Sequence, residues 1–216
     1  MQLSQEQARV IGSLIEKQLT TPQQYPLTLN ALLLACNQSS NRDPVVDYDE
    51  RTVDTALVSL KAAGLVRFVH PSHGRSVARY QQLLEEQLGI TEQQLALLGV
   101  LLLRGPQTGG ELRSRTERMC DFDSIAQVDL ELQRLSGLPE PLVARLPRRP
   151  GQKEERWVQL LADSQVDGPA VWAGEGPDEP RAAGSASGSA DEVAQLRAEI
   201  AELREAIEKL QQDIYR

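Results

Sequence analysis

Apolar residues recur every three to four positions in two stretches of the chain, which begin at residues 3 and 90. Each stretch opens with a polar box, LSQEQ at residues 3–7 and ITEQQ at residues 90–94. In both, the hydroxyl can accept a hydrogen bond from the backbone N–H three residues on, while the last glutamine reaches back, as in a helix capping box. The apolar positions that follow coincide: Ile11, Leu14 and Ile15 in the first stretch, and Leu98, Leu101 and Leu102 in the second. The spacing predicts an amphipathic helix of about four turns in each stretch.

The correspondence continues through two further predicted helices. Thr28 precedes Leu32 in the first copy, and Thr108 precedes Leu112 in the second, where Glu111 completes another capping box. A third helix repeats one apolar triplet: Val53, Leu57 and Leu60 in the first copy, and Val128, Leu132 and Leu135 in the second. Asp49 and Ser124 are the predicted N-caps of this third pair.

Each copy ends in two short strand patterns. LVRFV at residues 65–69 corresponds to LVARL at 142–146, and RYQQLL at 79–84 corresponds to RWVQLL at 156–161. All of these pairs share one offset of 77 residues. Equal offsets on both sides of a turn predict two β-hairpins of equal length.

Three helices followed by a hairpin with a polar tip is the order of the winged-helix variant of the helix-turn-helix. The sequence therefore predicts a mainly α fold with small β-hairpins (α+β), built as tandem winged-helix domains at residues 1–85 and 86–162. A generic α+β domain with chance internal similarity is the alternative.

The composition changes after Leu161. Residues 163–190 are rich in Gly, Pro, Ser, Ala and acidic residues, which predicts a flexible linker. Residues 191–216 carry a strict heptad whose two apolar seam positions are Val193, Ile200, Ile207 and Ile214, and Leu196, Leu203 and Leu210. β-Branched residues at one seam position and Leu at the other favour a parallel two-stranded coiled coil, and hence a homodimer. An amphipathic helix folded back on its own domains is the alternative.

The net charge of −8 is concentrated in the tail. Residues 1–85, 86–162 and 163–216 contribute 0, −1 and −7, so the predicted domains are close to neutral. The two cysteines cannot frame a disulfide scaffold, and the N terminus lacks the pattern of a signal peptide. The longest apolar run, at residues 95–103, is too short to cross a bilayer. We expect a cytoplasmic protein without membrane contact.

The candidates for chemistry are few. Cys36 falls on the apolar face of the second predicted helix, where it is expected to pack as a small apolar residue. The two histidines, His70 and His73, lie in a hairpin turn, where they are too few to hold a metal. We therefore expect no enzyme activity, no metal and no cofactor.

Two long strings carry a resemblance to a known family: EKQLTTPQQYPLTLNALLLACNQSSNRDPV, and LLLRGPQTGGELRSRTERM. With them, the chain resembles the YceH-like family of bacterial proteins of unknown function over roughly residues 1–162. The resemblance implies tandem winged-helix domains. It implies no activity, ligand or catalytic residue.

The predicted fold favours double-stranded DNA as the partner and transcription regulation as the function. A basic hairpin turn and a basic helix can contact phosphates. The candidate nucleic-acid-binding residues are Arg113, Arg115 and Arg118 on the second helix of the second copy, Arg148, Arg149 and Lys153 on its hairpin, His73 and Arg75 on the first hairpin, and Arg51 at the start of the first copy's third helix.

Acidic residues on both predicted recognition helices argue against DNA, because they repel phosphate. They are Asp47, Asp49, Glu50 and Asp54 in the first copy, and Asp121, Asp123, Asp129 and Glu131 in the second. The alternative function is a protein–protein interaction scaffold, in which these helices bind a basic protein partner.

Overall fold

The structure, a computed structural model, describes residues 2–69, 77–148 and 154–162. Within these ranges it consists of helices and two small antiparallel sheets, so the predicted α+β class is confirmed. We refer to residues 2–83 as the first half and to residues 90–162 as the second half. The predicted linker and coiled coil, residues 163–190 and 191–216, lie outside the described residues.

The first half begins with three helices. They are α1 (Gln5–Thr20), α2 (Leu29–Cys36) and α3 (Glu50–Ala62). The capping box of Ser4 and Gln7 at the start of α1 is present, and Asp49 caps α3 by accepting a hydrogen bond from the backbone of Thr52. Both predicted caps are therefore confirmed.

The hairpin of the first half belongs to a three-stranded sheet. Its strands are β1 (Leu27–Thr28), β2 (Val66–Val69) and β3 (Arg79–Gln82), in the order β1-β3-β2. Leu27 and Phe68 both pair with Tyr80, so the short strand before α2 adds to the far edge of the hairpin. The sequence analysis did not predict β1.

A short helix, α4 (Leu84–Leu88), connects the two halves and was not predicted. It ends at Gly89, whose φ of 62° lies in the left-handed region. Glycine takes this conformation at little cost, which explains why the helix ends there.

The second half repeats the same order of elements. Its helices are α5 (Glu92–Arg104), α6 (Gly109–Thr116) and α7 (Ile125–Ser136), and its hairpin strands are β4 (Val143–Leu146) and β5 (Arg156–Gln159). The predicted capping boxes at Thr91 and Thr108 and the N-cap at Ser124 are confirmed. A single bridge between Gln107 and Trp157 takes the place that β1 has in the first half.

Equivalent hydrogen bonds fix the hairpin in both halves. Arg79 donates to the carbonyl oxygen of Pro26 at 2.8 Å, and Arg156 donates to that of Pro106 at 3.0 Å. The backbone N–H after β3 donates to Leu65 at 2.8 Å, and its counterpart after β5 donates to Leu142 at the same distance. These matched contacts support the tandem winged-helix assignment, which remains a prediction, as do its domain boundaries.

Helices α1 and α5 pack against each other at the centre of the described structure. A Cβ atom on Gly99 of α5 would lie 2.7 Å from Cγ2 of Ile15, and one on Gly12 of α1 would lie 3.2 Å from Cβ of Leu102. Gly12 and Gly99 occupy the same repeat position, and so do Ile15 and Leu102. Such reciprocal contacts are typical of an approximate twofold axis.

This packing departs from the prediction for α5. The sequence analysis predicted an amphipathic helix, but residues 94–103 are all buried. The helix is enclosed by α1 on one side and by its own half on the other, so its apolar residues face in every direction. Among the helices that the structure describes, none has the length and apolar content that a membrane crossing requires.

Candidate functional site

The loop between α2 and α3 is held by a buried arginine. The side chain of Arg42 is fully buried and donates to both carboxylate oxygens of Glu16, at 3.0 and 2.7 Å. It also donates to the carbonyl oxygens of Ala35 and Asn41, at 2.8 Å each, and to the Gln38 side chain at 3.0 Å. The Arg42 guanidinium therefore fixes the shape of this loop, because it donates hydrogen bonds to acceptors in α1, in α2 and in the loop itself.

A second buried arginine, Arg9 of α1, supports the same loop. It donates to the carbonyl oxygen of Cys36 at 3.3 Å and to that of Pro44. The Cys36 side chain is itself buried, and burial raises the pKa of its thiol to about 11. A thiol with this pKa stays protonated at neutral pH, which agrees with the predicted packing role of Cys36.

The loop also lies against the end of α5. The backbone N–H of Asp43 donates to the carbonyl oxygen of Leu103 at 2.9 Å, and the Arg104 guanidinium donates to the Asn41 side chain. Asn41 has a φ of 61°, a conformation that asparagine adopts more readily than most residues. These contacts place one edge of the first half beside the C-terminal turn of α5.

Between this loop, α1, α5 and α6 lies a cleft of about 390 Å³, which we call the central cleft. Its basic residues are Lys17, Arg104, Arg115 and Arg118, and its acidic residues are Glu16 and Glu117. The rest of the lining is Thr20, Thr21, Gln38, Ser40, Asn41, Val100, Leu103, Ser114 and Met119. The cleft is thus mainly polar, with four cationic side chains and two acidic ones.

A smaller cleft of about 320 Å³ adjoins the central cleft and shares Asn41, Arg104 and Arg115 with it. Here Arg156 lies 2.9 Å from a carboxylate oxygen of Glu111, while Arg115 approaches the same carboxylate only to 4.0 Å. Glu111 is therefore paired mainly with Arg156, and Arg115 is left with a weak partner.

The charges of the cleft influence one another. Burial lowers the pKa of the Arg104 guanidinium, and the nearby Arg115 and Arg42 lower it further, against the opposing effect of Glu16 and Asp43. The lowered pKa of Arg104 therefore reflects its partial burial first and its cationic neighbours second.

For the carboxylate of Glu16, interactions with neighbouring cations outweigh the effect of burial on the pKa. Burial alone would raise its pKa, but hydrogen bonds and charge from Arg42 and Lys17 outweigh burial, and the pKa is lowered. Glu16 therefore stays ionised, and its negative charge is shared by Arg42 at 2.7 Å and Lys17 at 3.3 Å.

The structure separates the predicted nucleic-acid-binding residues. Arg115 and Arg118 meet in the central cleft, whereas Arg113 donates to the carbonyl oxygen of Phe122 at 3.2 Å and so ties α6 to the following loop. Arg51 is exposed at the start of α3 and lines a different, shallow depression. Arg148 is exposed beyond the end of β4. The remaining four lie outside the described residues: His73, Arg75, Arg149 and Lys153. All nine assignments to DNA contact stay predictions.

The sequence analysis missed two cleft residues, Lys17 and Arg104. They occupy the same position in the repeat, 87 residues apart, at the C-terminal turns of α1 and α5. This coincidence of two basic residues could have been read from the aligned copies.

Comparison with known proteins assigns the chain to a family. A family model described as "Protein of unknown function, DUF480" matches residues 3–152. The chain belongs to the DUF480 family. The predicted resemblance to an uncharacterised bacterial family is thereby confirmed.

Relatives of the chain in the DUF480 family are similar over most of their length. A UPF0502 protein of Solibacter usitatus is 43% identical over 213 residues, which is 98% of this chain and 98% of the relative. A UPF0502 protein of Pelobacter propionicus is 45% identical, covering 97% of this chain and 94% of the relative. One of Pseudomonas aeruginosa is 47% identical, covering 90% of this chain and 85% of the relative.

The DUF480 match contains the whole lining of the central cleft, from Glu16 to Met119. It also contains all seven helices that the structure describes. The cleft is therefore formed by the part of the chain that the family model defines.

Proposed function

We propose that the protein binds double-stranded DNA through its two hairpin-bearing halves and acts in transcription regulation, by binding rather than by catalysis. The observation that carries the proposal is the duplicated order of three helices and a hairpin, with an exposed third helix in each half. In winged-helix proteins the third helix enters the major groove and the hairpin contacts the backbone. Exposed Arg148, just beyond β4, stands where such a hairpin contact would be made.

The structure weakens part of the electrostatic objection to DNA. Glu131 is buried and accepts hydrogen bonds from Gln94 at 2.8 Å and from Arg134 at 2.7 Å. Asp129 lies 3.3 Å from the indole N–H of Trp157, which donates to it. Two of the acidic residues on α7 thus serve internal contacts, and the negative charge of Glu131 is compensated by Arg134.

The proposal includes a homodimer formed through the C-terminal heptad, which rests on the sequence alone. Two coupled copies would present their modules to a twofold-symmetric site. Sedimentation of the full chain is expected to give a dimer, and the double variant Ile200→Glu/Leu203→Glu a monomer, because charges in the seam oppose pairing. Ala198→Glu, placed opposite the seam, is the control and should remain dimeric. A monomeric unmodified chain would remove the dimer from the proposal.

DNA binding is tested with the full chain and a labelled random-sequence duplex, at low and at moderate salt. Binding should fall steeply with salt, because neutralised phosphates release counterions. Arg148→Glu should weaken binding and reduce the slope of log affinity against log salt by about one.

The matched control is Arg67→Glu, which makes the same change in net charge. Arg67 is exposed on β2 and lies 3.3 Å from Glu86 of the connecting helix α4. Its reversal should leave the slope unchanged. Equal effects of the two reversals would show a dependence on net charge alone, and absence of binding at low salt would reject DNA as the partner.

A second function, a protein-interaction scaffold, is favoured by the apolar residues on the same helices. Val58 on α3 is 55% exposed, and Ile125 and Leu130 on α7 are 48% and 46% exposed. An exposed apolar residue among acidic neighbours suits a protein surface better than a phosphate backbone. If the duplex titration shows no binding, the double variant Val58→Glu/Leu130→Glu becomes the probe for this function.

A further inference from the structure

The central cleft is lined by equivalent segments of the two halves. The C-terminal turns of α1 and α5 contribute Lys17 and Arg104, which share one repeat position. The segments that follow α2 and α6 contribute Gln38 and Arg118, which correspond at an offset of 80 residues. The cleft therefore lies where the approximate twofold relation brings the halves together, and any ligand in it would contact both.

Positive charge in the cleft exceeds its local compensation. Glu16 forms ion pairs with the buried Arg42 at 2.7 Å and with Lys17 at 3.3 Å, so its charge is not available to the three arginines of the cleft. Among the described residues, neither Arg104 nor Arg118 has a carboxylate within ion-pair distance, and the nearest carboxylate oxygen to Arg115 is at 4.0 Å. This surplus occurs in a chain with a net charge of −8, so general basicity of the protein does not explain it.

The partial negative charge at helix C termini explains only some of the cations that line the central cleft. The C termini of α1, α5 and α6 meet near the cleft, and cations such as Lys17, Arg104 and Arg115 are favourable there because helix C termini carry partial negative charge. Arg118 lies beyond the end of α6 and is exposed. Hydroxyl and amide groups complete the lining, and the charge of the helix C termini does not explain their presence.

We propose that the central cleft is a binding site for a small phosphorylated ligand, held by Arg104, Arg115 and Arg118 together with Lys17. Arginine guanidinium groups bind phosphate oxygens in pairs, and lysine adds a mobile point charge. The hydroxyls of Ser40 and Ser114 and the amide of Gln38 line the same space and can hydrogen-bond the rest of the ligand. The volume, about 390 Å³, lies in the range of small-molecule sites.

This inference goes beyond DNA binding and does not depend on it. A ligand that bridges Lys17 of the first half and Arg118 of the second would stabilise the packing of α1 on α5. Its binding free energy would add to the stability of the folded chain, since the unfolded chain offers no such site.

Inorganic pyrophosphate is the probe, titrated into the full chain by calorimetry at fixed ionic strength. We expect saturable binding with one site per chain and a rise in melting temperature with pyrophosphate concentration. Arg118→Gln and Arg104→Gln should each raise Kd by about tenfold, because each removes a charge-assisted hydrogen bond. Arg67→Gln removes the same charge from an exposed position outside the cleft and should leave Kd unchanged.

Arg118 is the decisive position, because its side chain is exposed and has no hydrogen bond or ion pair with the part of the chain that the structure describes. Circular dichroism of each variant checks that the helices are retained. If pyrophosphate does not bind up to millimolar concentrations, or binds to Arg118→Gln and Arg104→Gln as tightly as to the unmodified chain, the inference is wrong.

Titration with the labelled duplex distinguishes a small-ligand site in the central cleft from a DNA-binding surface. Arg148→Glu should weaken duplex binding and leave the pyrophosphate Kd unchanged, which would support two distinct sites. If instead pyrophosphate displaces the duplex, and Arg104→Gln and Arg118→Gln weaken both ligands alike, the cleft belongs to the DNA-binding surface and the small-ligand site is rejected. If the duplex does not bind at all while pyrophosphate does, the inference stands without the proposed function.

Discussion

The shape of the α2–α3 loop depends on one buried ion pair. Arg42 and Glu16 make two hydrogen bonds, at 3.0 and 2.7 Å, in a site where neither side chain is more than 8% exposed. A buried pair of this kind adds little net stability against an apolar pair of the same volume, but loss of one partner leaves the other charge uncompensated. The pair therefore specifies the conformation of the loop that borders the central cleft.

Replacement of Arg42 should strongly destabilise the protein. We expect Arg42→Met to reduce the free energy of unfolding by about 3–5 kcal/mol, because the Glu16 carboxylate is then buried without its partner. Urea unfolding of the full chain measures this. The control is Arg67→Met, which breaks an exposed ion pair with Glu86 and should cost less than about 1 kcal/mol. Similar losses in both variants would show that Arg42 is not the organising residue.

The same pair predicts a dependence of stability on pH. The pKa of Glu16 is lowered in the folded state from its ordinary value of 4.5, so its ionised form stabilises the fold. This contribution is fully present above that ordinary value and is lost as the pH falls through it towards the lower folded pKa. Glu16→Gln should therefore cost most at neutral pH and progressively less in acid, as measured by urea unfolding across that range. A cost independent of pH would contradict the prediction, and Glu86→Gln, at an exposed site, serves as control.

For single residues, the sequence predicts contacts between near neighbours along the chain and misses contacts between residues that are far apart along it. The caps at Ser4, Asp49 and Thr91 were predicted because their partners lie three residues away along the chain. The partners of Arg42 lie up to 26 residues away, and the chain between them gives no periodic signal. Lys17 is an intermediate case. No neighbouring residue in the chain indicates its place in the cleft, but the repeat makes it equivalent to Arg104.

Among the elements, the contact of α1 with α5 depends on the absence of side chains at two positions. Cβ atoms added to Gly12 and Gly99 would fall within 3.0 Å of buried side-chain atoms of the opposing helix. Glycine weakens a helix by about 1 kcal/mol relative to alanine. Its presence at the same repeat position in both helices is therefore explained by the close approach.

Alanine at position 99 should destabilise the protein even though it improves helix propensity. The new Cβ would lie 2.7 Å from Cγ2 and 3.3 Å from Cβ of Ile15, which is buried and β-branched and so cannot move away cheaply. Overpacking of this kind costs about 1–3 kcal/mol, so we expect Gly99→Ala to lower the free energy of unfolding by about 1 kcal/mol after the gain in propensity.

Gly110→Ala is the matched control within helix α6. A Cβ atom there meets nothing closer than 3.9 Å, so the substitution should stabilise the protein by a few tenths of a kcal/mol. Thermal unfolding of both variants provides the measurement. If Gly99→Ala were as stabilising as Gly110→Ala, the close packing of α1 on α5 would be wrong.

The elements that the sequence predicts are those with a repeated pattern. The six repeated helices and both hairpins were expected near their observed positions, whereas α4 and β1 were not. Helix α4 has only five residues, and β1 has two, so neither is long enough to show a period. The full burial of α5 was also missed, because a run such as that at residues 95–103 does not reveal how many neighbours will cover it.

Across the whole described structure, the two halves share one continuous hydrophobic core. Leu14 of α1 and Leu98 of α5 belong to the same cluster, which extends to Leu57 in the first half and Leu132 in the second. The backbone N–H of Leu3 also donates to the carbonyl oxygen of Leu161 at 2.6 Å, which joins the start of the first half to the end of the second. Repetition in the sequence predicted two similar units but gave no measure of how closely they are joined.

A continuous core predicts that the two halves unfold together. Trp157 reports on the second half alone, because it belongs to strand β5 and is only 4% exposed, and Trp172→Phe removes the other tryptophan of the chain. In that background Leu57→Ala, in the first half, should cost about 2–5 kcal/mol and shift the Trp157 fluorescence transition and the far-UV circular dichroism transition to the same lower midpoint. Leu132→Ala, the equivalent change in the second half, should do the same. If Leu57→Ala instead left the Trp157 midpoint in place while the dichroism separated into two steps, each half would be an independent folding unit, and the α1–α5 contact would not couple them.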